Sequence, residues 1–137
     1  MEVVRIKVRK GEIVEAGSWL YVWRRTDDGG VMYVGSTATP PALRTWLHLH
    51  GDDPAVARVR HRYEGALEGD FEVVAFRLPD HASRREAKDE LIRQLDDSDM
   101  LAASYVGDRP QRGHTGLAEE SESVVNPMLR HLRERSE

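Results

Sequence analysis

Two short aromatic runs separated by a turn constrain this chain more than any other feature. Residues 19–25 read WLYVWRR and residues 31–34 read VMYV. Trp, Tyr and Val are strand formers. Between the runs, Thr26, Asp27, Asp28, Gly29 and Gly30 have turn chemistry: Asp tolerates tight turns and Gly supplies positive φ. The unit is a β-hairpin. Side chains alternate along a strand, so a loop with an odd number of residues puts Tyr21 and Tyr33 on one face, and an even loop separates them. Gly35 ends the second strand where a side chain would crowd whatever approaches. Pro40 and Pro41 block strand continuation and suit a helix start. The sequence predicts a short helix over residues 42–50, ended by Gly51.

The flanking chain supplies the rest of an α/β fold. Val4, Ile6 and Val8 alternate with Arg5, Lys7 and Arg9, the pattern of a half-buried strand with a basic outer face. That face is either simply solvated or contacts a nucleic-acid backbone. Ile13 and Val14 can pair briefly before the hairpin. Asp53 suits an N-cap and Pro54 a first helical position, which predicts a helix over residues 55–64. Its Arg58, Arg60, His61 and Arg62 do not share one face, because residues two apart on a helix point about 200° from each other. They are solvated, or they form a phosphate-contacting patch beside Arg44. Residues 71–78 (FEVVAFRL) form a third strand, expected to be central and covered on both faces. Ser83 and Glu86 fit a capping box, opening a helix that runs to about Leu95 with Ala87, Leu91, Ile92 and Leu95 facing the core. Glu90 reads as a solvent-facing helix former. Asp96, Asp97 and Asp99 read as a solvated loop; they lack the glycine and distal glutamate of a calcium loop. Residues 100–106 form a short apolar element, and residues 107–116 a loop. The tail is helical with a break at Pro127, Asn126 acting as an N-cap, and Met128, Leu129 and Leu132 packing inward. Arg130, Arg133 and Arg135 fall largely on its outer face.

A chain of 137 residues suits a single domain, with a core over residues 18–96 and a helical extension over residues 117–135. Its net charge of −4 argues against a protein that coats DNA non-specifically, because such binding rests on basic charge. There is no cysteine, which excludes disulfides, a thiol nucleophile and a Cys zinc site. No long apolar run marks a signal peptide or membrane span, so a cytoplasmic location is expected. His48 and His50 are two apart on a helix and cannot easily share a metal, and His61, His81, His114 and His131 show no ligand spacing.

The order Leu20-Tyr21-Val22, then Tyr33-Val34-Gly35, then Arg44 on the next helix resembles the GIY-YIG endonuclease family. In that family a tripeptide ending in Tyr-(Ile/Val) lies on one strand and Tyr-(Ile/Val)-Gly on the next. His48, one turn after Arg44, matches a histidine of some members. The resemblance covers residues 18–50 and implies a small antiparallel sheet built from the hairpin and strand 71–78, flanked by helices. It also implies DNA as partner and phosphodiester hydrolysis with a divalent metal such as Mg²⁺. Tyr21 would orient or deprotonate the attacking water, and Tyr33 would support it by hydrogen bonding. Arg44 would bind the scissile phosphate through its planar fork. His48 would relay a proton or contact phosphate. A phenol with a pKa of about 10 needs help from a metal or an arginine to act as a base. The family's metal-binding glutamate lies three residues before a Leu-Ile pair. Here the pair is Leu91-Ile92 and the position is Lys88, which cannot ligate a metal while protonated. Glu86 and Glu90 lie two residues to either side and point elsewhere, so no metal ligand is assigned. The family's late asparagine has a distant counterpart in Asn126, 38 residues after Lys88. Two readings follow: a metal-dependent DNA endonuclease, or a catalytically degenerate module that binds nucleic acid or a protein partner without cutting.

Overall fold

The computed structural model describes residues 1, 3, 5, 7–14, 17–109 and 118–134. The predicted hairpin forms, and its first strand is the centre of the molecule. Strand β3 (Trp19–Arg25) pairs antiparallel with β4 (Val31–Thr37) on one side and β5 (Phe71–Arg77) on the other, in the order β4-β3-β5. Register is set by Tyr21 opposite Gly35 and Trp23 opposite Tyr33. Tyr33 and Gly35 are two apart, so Tyr21, Tyr33 and Gly35 share one face; the turn-side pairs Arg24–Val31 and Arg25–Gly30 enclose an even number of residues, and a β-bulge is what puts the tyrosines together. In that bulge Arg24 pairs with Val31, leaving Met32 as the extra residue. Met32 therefore joins Tyr33 in the tyrosine-side core, while Val31 turns to the opposite side.

Two cores result from this alternation. Leu20, Val22 and Val34 face helices α3 (Arg84–Asp97) and α4 (Ala118–Glu134), packing with Ala87, Leu91, Ile92, Leu95, Val125, Met128, Leu129 and Leu132. Tyr21, Trp23 and Tyr33 face α1 (Pro41–His50) and α2 (Arg58–Arg62) through Leu49, Val59 and Tyr63. The free edge of β4 is covered by the apolar stretch after α3: Val31 N–H donates to Met100 O, Ala102 N–H to Val31 O and Val106 N–H to Met32 O.

Helix starts follow their sequence signals in part. Pro41 opens α1 as expected; Gly51 closes it in an extended conformation, its N–H donating to Leu47 O, where a Cβ would press on that carbonyl at 2.9 Å. Ser83 caps α3, its Oγ accepting from Glu86 N–H. Asp53 does accept from Ala55 N–H, but it heads a turn, and the helix itself spans only Arg58–Arg62.

Three further expectations are corrected. Strand β5 is an edge strand, half-buried along its length, because β3 occupies the centre. The basic N-terminal strand is not half-buried where it is described: β1 (Val8–Arg9) and β2 (Glu12–Ile13) form a two-stranded ribbon apart from the three-stranded sheet, and both residues of β1 are exposed. Lys10 and Gly11 turn it with φ of 52° and 80°, the two positive values a tight hairpin demands. Val8 is 65% exposed, while Val4 and Ile6 lie outside the described residues. Finally, α4 runs unbroken through Pro127, and Asn126 lies exposed inside it rather than capping it. Packing overrides the proline: Val125, Met128, Leu129 and Leu132 anchor the helix on both sides of it, and the carbonyl of exposed Ser123, which loses its partner, can turn to water. The carbonyl of Leu132 near the C-terminal end of α4 is held by the buried Arg24 guanidinium at 3.0 Å, which also pairs with Glu72.

Pro127→Ala restores the missing helical hydrogen bond at a surface position. It should raise unfolding stability by about 1–3 kcal/mol in urea denaturation, whereas a helix truly ending at residue 126 would show no gain.

Candidate active site

On the tyrosine face, α1 aims two side chains one turn apart at the sheet. His48 is wholly buried and Arg44 half-buried. His48 Nε2 lies 2.6 Å from the Tyr21 hydroxyl, and Nδ1 lies 3.3 Å from the Val59 amide nitrogen. A backbone N–H can only donate, so Nδ1 accepts and the ring proton sits on Nε2. Tyr21 Oη therefore accepts from His48, and its own proton faces the neighbouring Tyr33 hydroxyl, which helps hold it on the phenol. Three rings enclose the imidazole: Tyr33 at 4.9 Å, Tyr21 at 5.4 Å and Trp23 at 5.7 Å between centroids.

Gly35 is what admits the Tyr21 ring. A Cβ there would overlap the phenol carbon and oxygen of Tyr21. The feature that approaches Gly35 is thus the cross-strand tyrosine itself.

Arginines form the rim. Arg44 donates to Val56 O at 2.7 Å, and Arg58 donates to Ala55 O at 2.9 Å and to the Tyr33 hydroxyl at 3.5 Å. Arg62 donates to Val106 O and to Asp108, both at 3.2 Å, while the same carboxylate lies 3.8 Å from Arg58. Asp108 thus bridges Arg58 and Arg62 of α2 from the opposite loop. Tyr105 donates to Asp108 O, and burial, then the nearby Tyr33, raises its phenol above the ordinary range.

The electrostatics follow from this geometry. Burial, then Arg44, Arg58 and Arg62, push the His48 pKa down to about 3, so the ring is neutral at physiological pH. Burial, with Tyr33 adding to it, raises the Tyr21 phenol above its ordinary range, and Arg44 and Arg58 pull the other way. Tyr21 is thereby suited to holding a proton and orienting a neighbour by hydrogen bonding; an unaided phenolate is disfavoured.

The structure brings Tyr21, Tyr33, Gly35, Arg44, His48, Arg58 and Arg62 together on one side of the sheet. It does not bring a carboxylate set with them. Helix α3, which carries Lys88, Glu86 and Glu90, packs on the opposite face, and so does α4 with Asn126. Glu90 is buried rather than solvent-facing, held by Arg93 and Gln94. Asp108 is tied to two arginines, and both His48 nitrogens are engaged. Among the described residues no group of three or more His, Asp or Glu could hold a metal ion. The donor set does not fit a resident divalent cation, which needs several oxygen ligands.

Sequence reasoning missed Asp108 and the Val59 amide. Asp108 sat in an unstructured loop with no periodicity to place it, and a backbone amide has no sequence signature. Comparison with protein-family models, with curated proteins and with solved structures finds no match. Among the described residues no helix is long and apolar enough to cross a membrane.

The neutral histidine has a thermodynamic consequence. Its folded pKa lies below the unfolded value of about 6.5, so the unfolded chain binds the extra proton first as pH falls. The stability linked to His48 is complete above pH about 6.5 and is lost as pH drops toward about 3. Between pH 7 and 5 the wild type should lose up to about 2 kcal/mol through this group. His48→Asn should flatten that dependence, as read by urea unfolding at both pH values.

Proposed function

We propose that this chain is a GIY-YIG-like endonuclease that hydrolyses DNA phosphodiester bonds. The observation that carries the reading is the meeting of Tyr21, Tyr33 and His48, from two strands and a helix, with His48 bonded to Tyr21 and packed on Tyr33, beneath a rim formed by Arg44, Arg58 and Arg62. Hydrolysis of a phosphodiester requires an oriented water and charge stabilisation at the phosphoryl oxygens. Arg44 and Arg58 supply the charge, and Arg44 offers a planar fork to two phosphate oxygens. His48 fixes the Tyr21 oxygen by donating to it, and Tyr21 with its neighbour Tyr33 would orient the water. Tyr33 links Arg58 to the same centre. No step is routed through a metal.

Two observations favour the second reading, a degenerate module that binds nucleic acid or a protein partner without cutting. Tyr21 and Tyr33 are each 2% exposed, and the family's carboxylate position is a lysine on the wrong side of the sheet.

Incubation with supercoiled and branched DNA, in Mg²⁺, Mn²⁺ and chelator, separates the two. The endonuclease reading expects cleavage that falls by about 10²–10³ in Arg44→Ala and in Tyr21→Phe. DNA binding by the folded protein with no cleavage in any buffer would establish the binding module in its place.

A further inference from the structure

Among the described residues, Asp108 is the carboxylate that pairs with Arg58 and Arg62. The loop that carries it is held by other bonds. Val106 N–H donates to Met32 O at 2.9 Å, Arg62 donates to Val106 O at 3.2 Å, and the Tyr105 hydroxyl donates to Asp108 O at 2.9 Å. Gly107 admits the last of these, because a Cβ there would overlap the Tyr105 phenol. The Arg109 guanidinium lies over the same ring at 5.5 Å and pairs with Asp96 at 3.2 Å. The Asp108 carboxylate is thus not what fixes its own loop.

What it does is bridge. Arg58 and Arg62 are four apart, so they stand on one side of α2. One Asp108 oxygen lies 3.2 Å from Arg62 Nη1 and the other 3.8 Å from Arg58 Nη1. A single negative charge spread over two oxygens, each turned to a different guanidinium, is the arrangement that a phosphodiester presents with its two non-bridging oxygens. The other partners of these arginines are neutral: Ala55 O and the Tyr33 hydroxyl for Arg58, Val106 O for Arg62. Those bonds survive if an external anion takes the place of the carboxylate, so both guanidiniums stay braced. The exchange also costs little. The Asp108 side chain is 54% exposed, and ion pairs that water reaches contribute weakly.

We propose that Asp108 is an internal stand-in for a backbone phosphate: it occupies the Arg58–Arg62 site in the free protein and is displaced by an incoming phosphate. The inference rests on the phosphate-binding reading of the arginine rim and adds what keeps that rim occupied. An isolated anion must compete with Asp108 alone. A chain of phosphates held at Arg44 presents a second phosphate to Arg58 and Arg62 at high effective concentration. The site therefore selects ligands with successive phosphates.

The test uses the full chain with two probes: labelled duplex DNA followed by fluorescence anisotropy, and inorganic pyrophosphate followed by calorimetry. Asp108→Asn should bind both roughly fivefold more tightly than wild type, and Asp108→Glu, which keeps the charge, should gain nothing. Adding Arg62→Ala to Asp108→Asn should abolish the gain. Asp80→Asn removes the same charge from the exposed turn after β5 and should change neither affinity. An equal gain in Asp80→Asn would make the effect one of net charge and overturn the stand-in. Weaker binding by an Asp108→Asn protein of wild-type stability would overturn it in favour of a positioning role, in which Asp108 aims the arginines. Unchanged affinity for both probes in Asp108→Asn would overturn it while leaving DNA binding or cleavage intact. Tighter pyrophosphate binding by Asp108→Asn, with no DNA bound by either protein, would support the stand-in and overturn the nucleic-acid reading. Binding of neither probe by any of these proteins would overturn both.

Discussion

One buried hydrogen bond, from His48 to Tyr21, holds the tyrosine side of this molecule in place. It joins the central strand to the helix that follows the hairpin, and it fixes the helix rotation that puts Arg44 over the sheet. Its geometry depends on two permissive features. Gly35 leaves the space that the Tyr21 ring occupies, and the Val59 amide sets the imidazole proton on Nε2. Replacing either would disturb the same pair. A buried polar group left without its partner costs about 1–3 kcal/mol, so the network is satisfied as a unit or not at all.

The charge pattern above that pair is consistent with an anion site. Three arginines face a neutral histidine and the Tyr21 and Tyr33 hydroxyls, with Asp108 as a counter-charge on Arg58 and Arg62. Asp108 is more than half exposed, which limits the strength of its ion pairs. A phosphate would meet preorganised donors there, because Arg44 and Arg58 are already braced by the carbonyls of Val56 and Ala55.

Much of this was legible in the sequence, for identifiable reasons. The hairpin, the helix after Pro41 and the Ser83 cap all rest on local chemistry: turn residues and capping. Whether Tyr21 and Tyr33 share a face turned on loop parity, which the sequence left open and the bulge at Met32 decides. What failed depended on tertiary context. An apolar run such as residues 71–78 does not say whether it is central or at an edge. Pro127 is a helix breaker by propensity, but four packed apolar residues around it outweigh that preference. The face on which α3 lies could not be read from its own periodicity, and that placement is what separates Glu86, Lys88 and Glu90 from the tyrosines. Carboxylates are mostly exposed, which is why the sequence places Glu90 in solvent; Arg93 and Gln94 satisfy it where it is buried.

The most direct test is nitrogen-15 NMR of the His48 ring at neutral pH, with and without a DNA oligonucleotide. The predicted result is a neutral ring protonated on Nε2, whose resonances move when DNA occupies the arginines above it. A ring protonated on Nδ1, a ring that carries charge near pH 6.5, or resonances unmoved by an oligonucleotide that binds would contradict the site built around Tyr21 and His48.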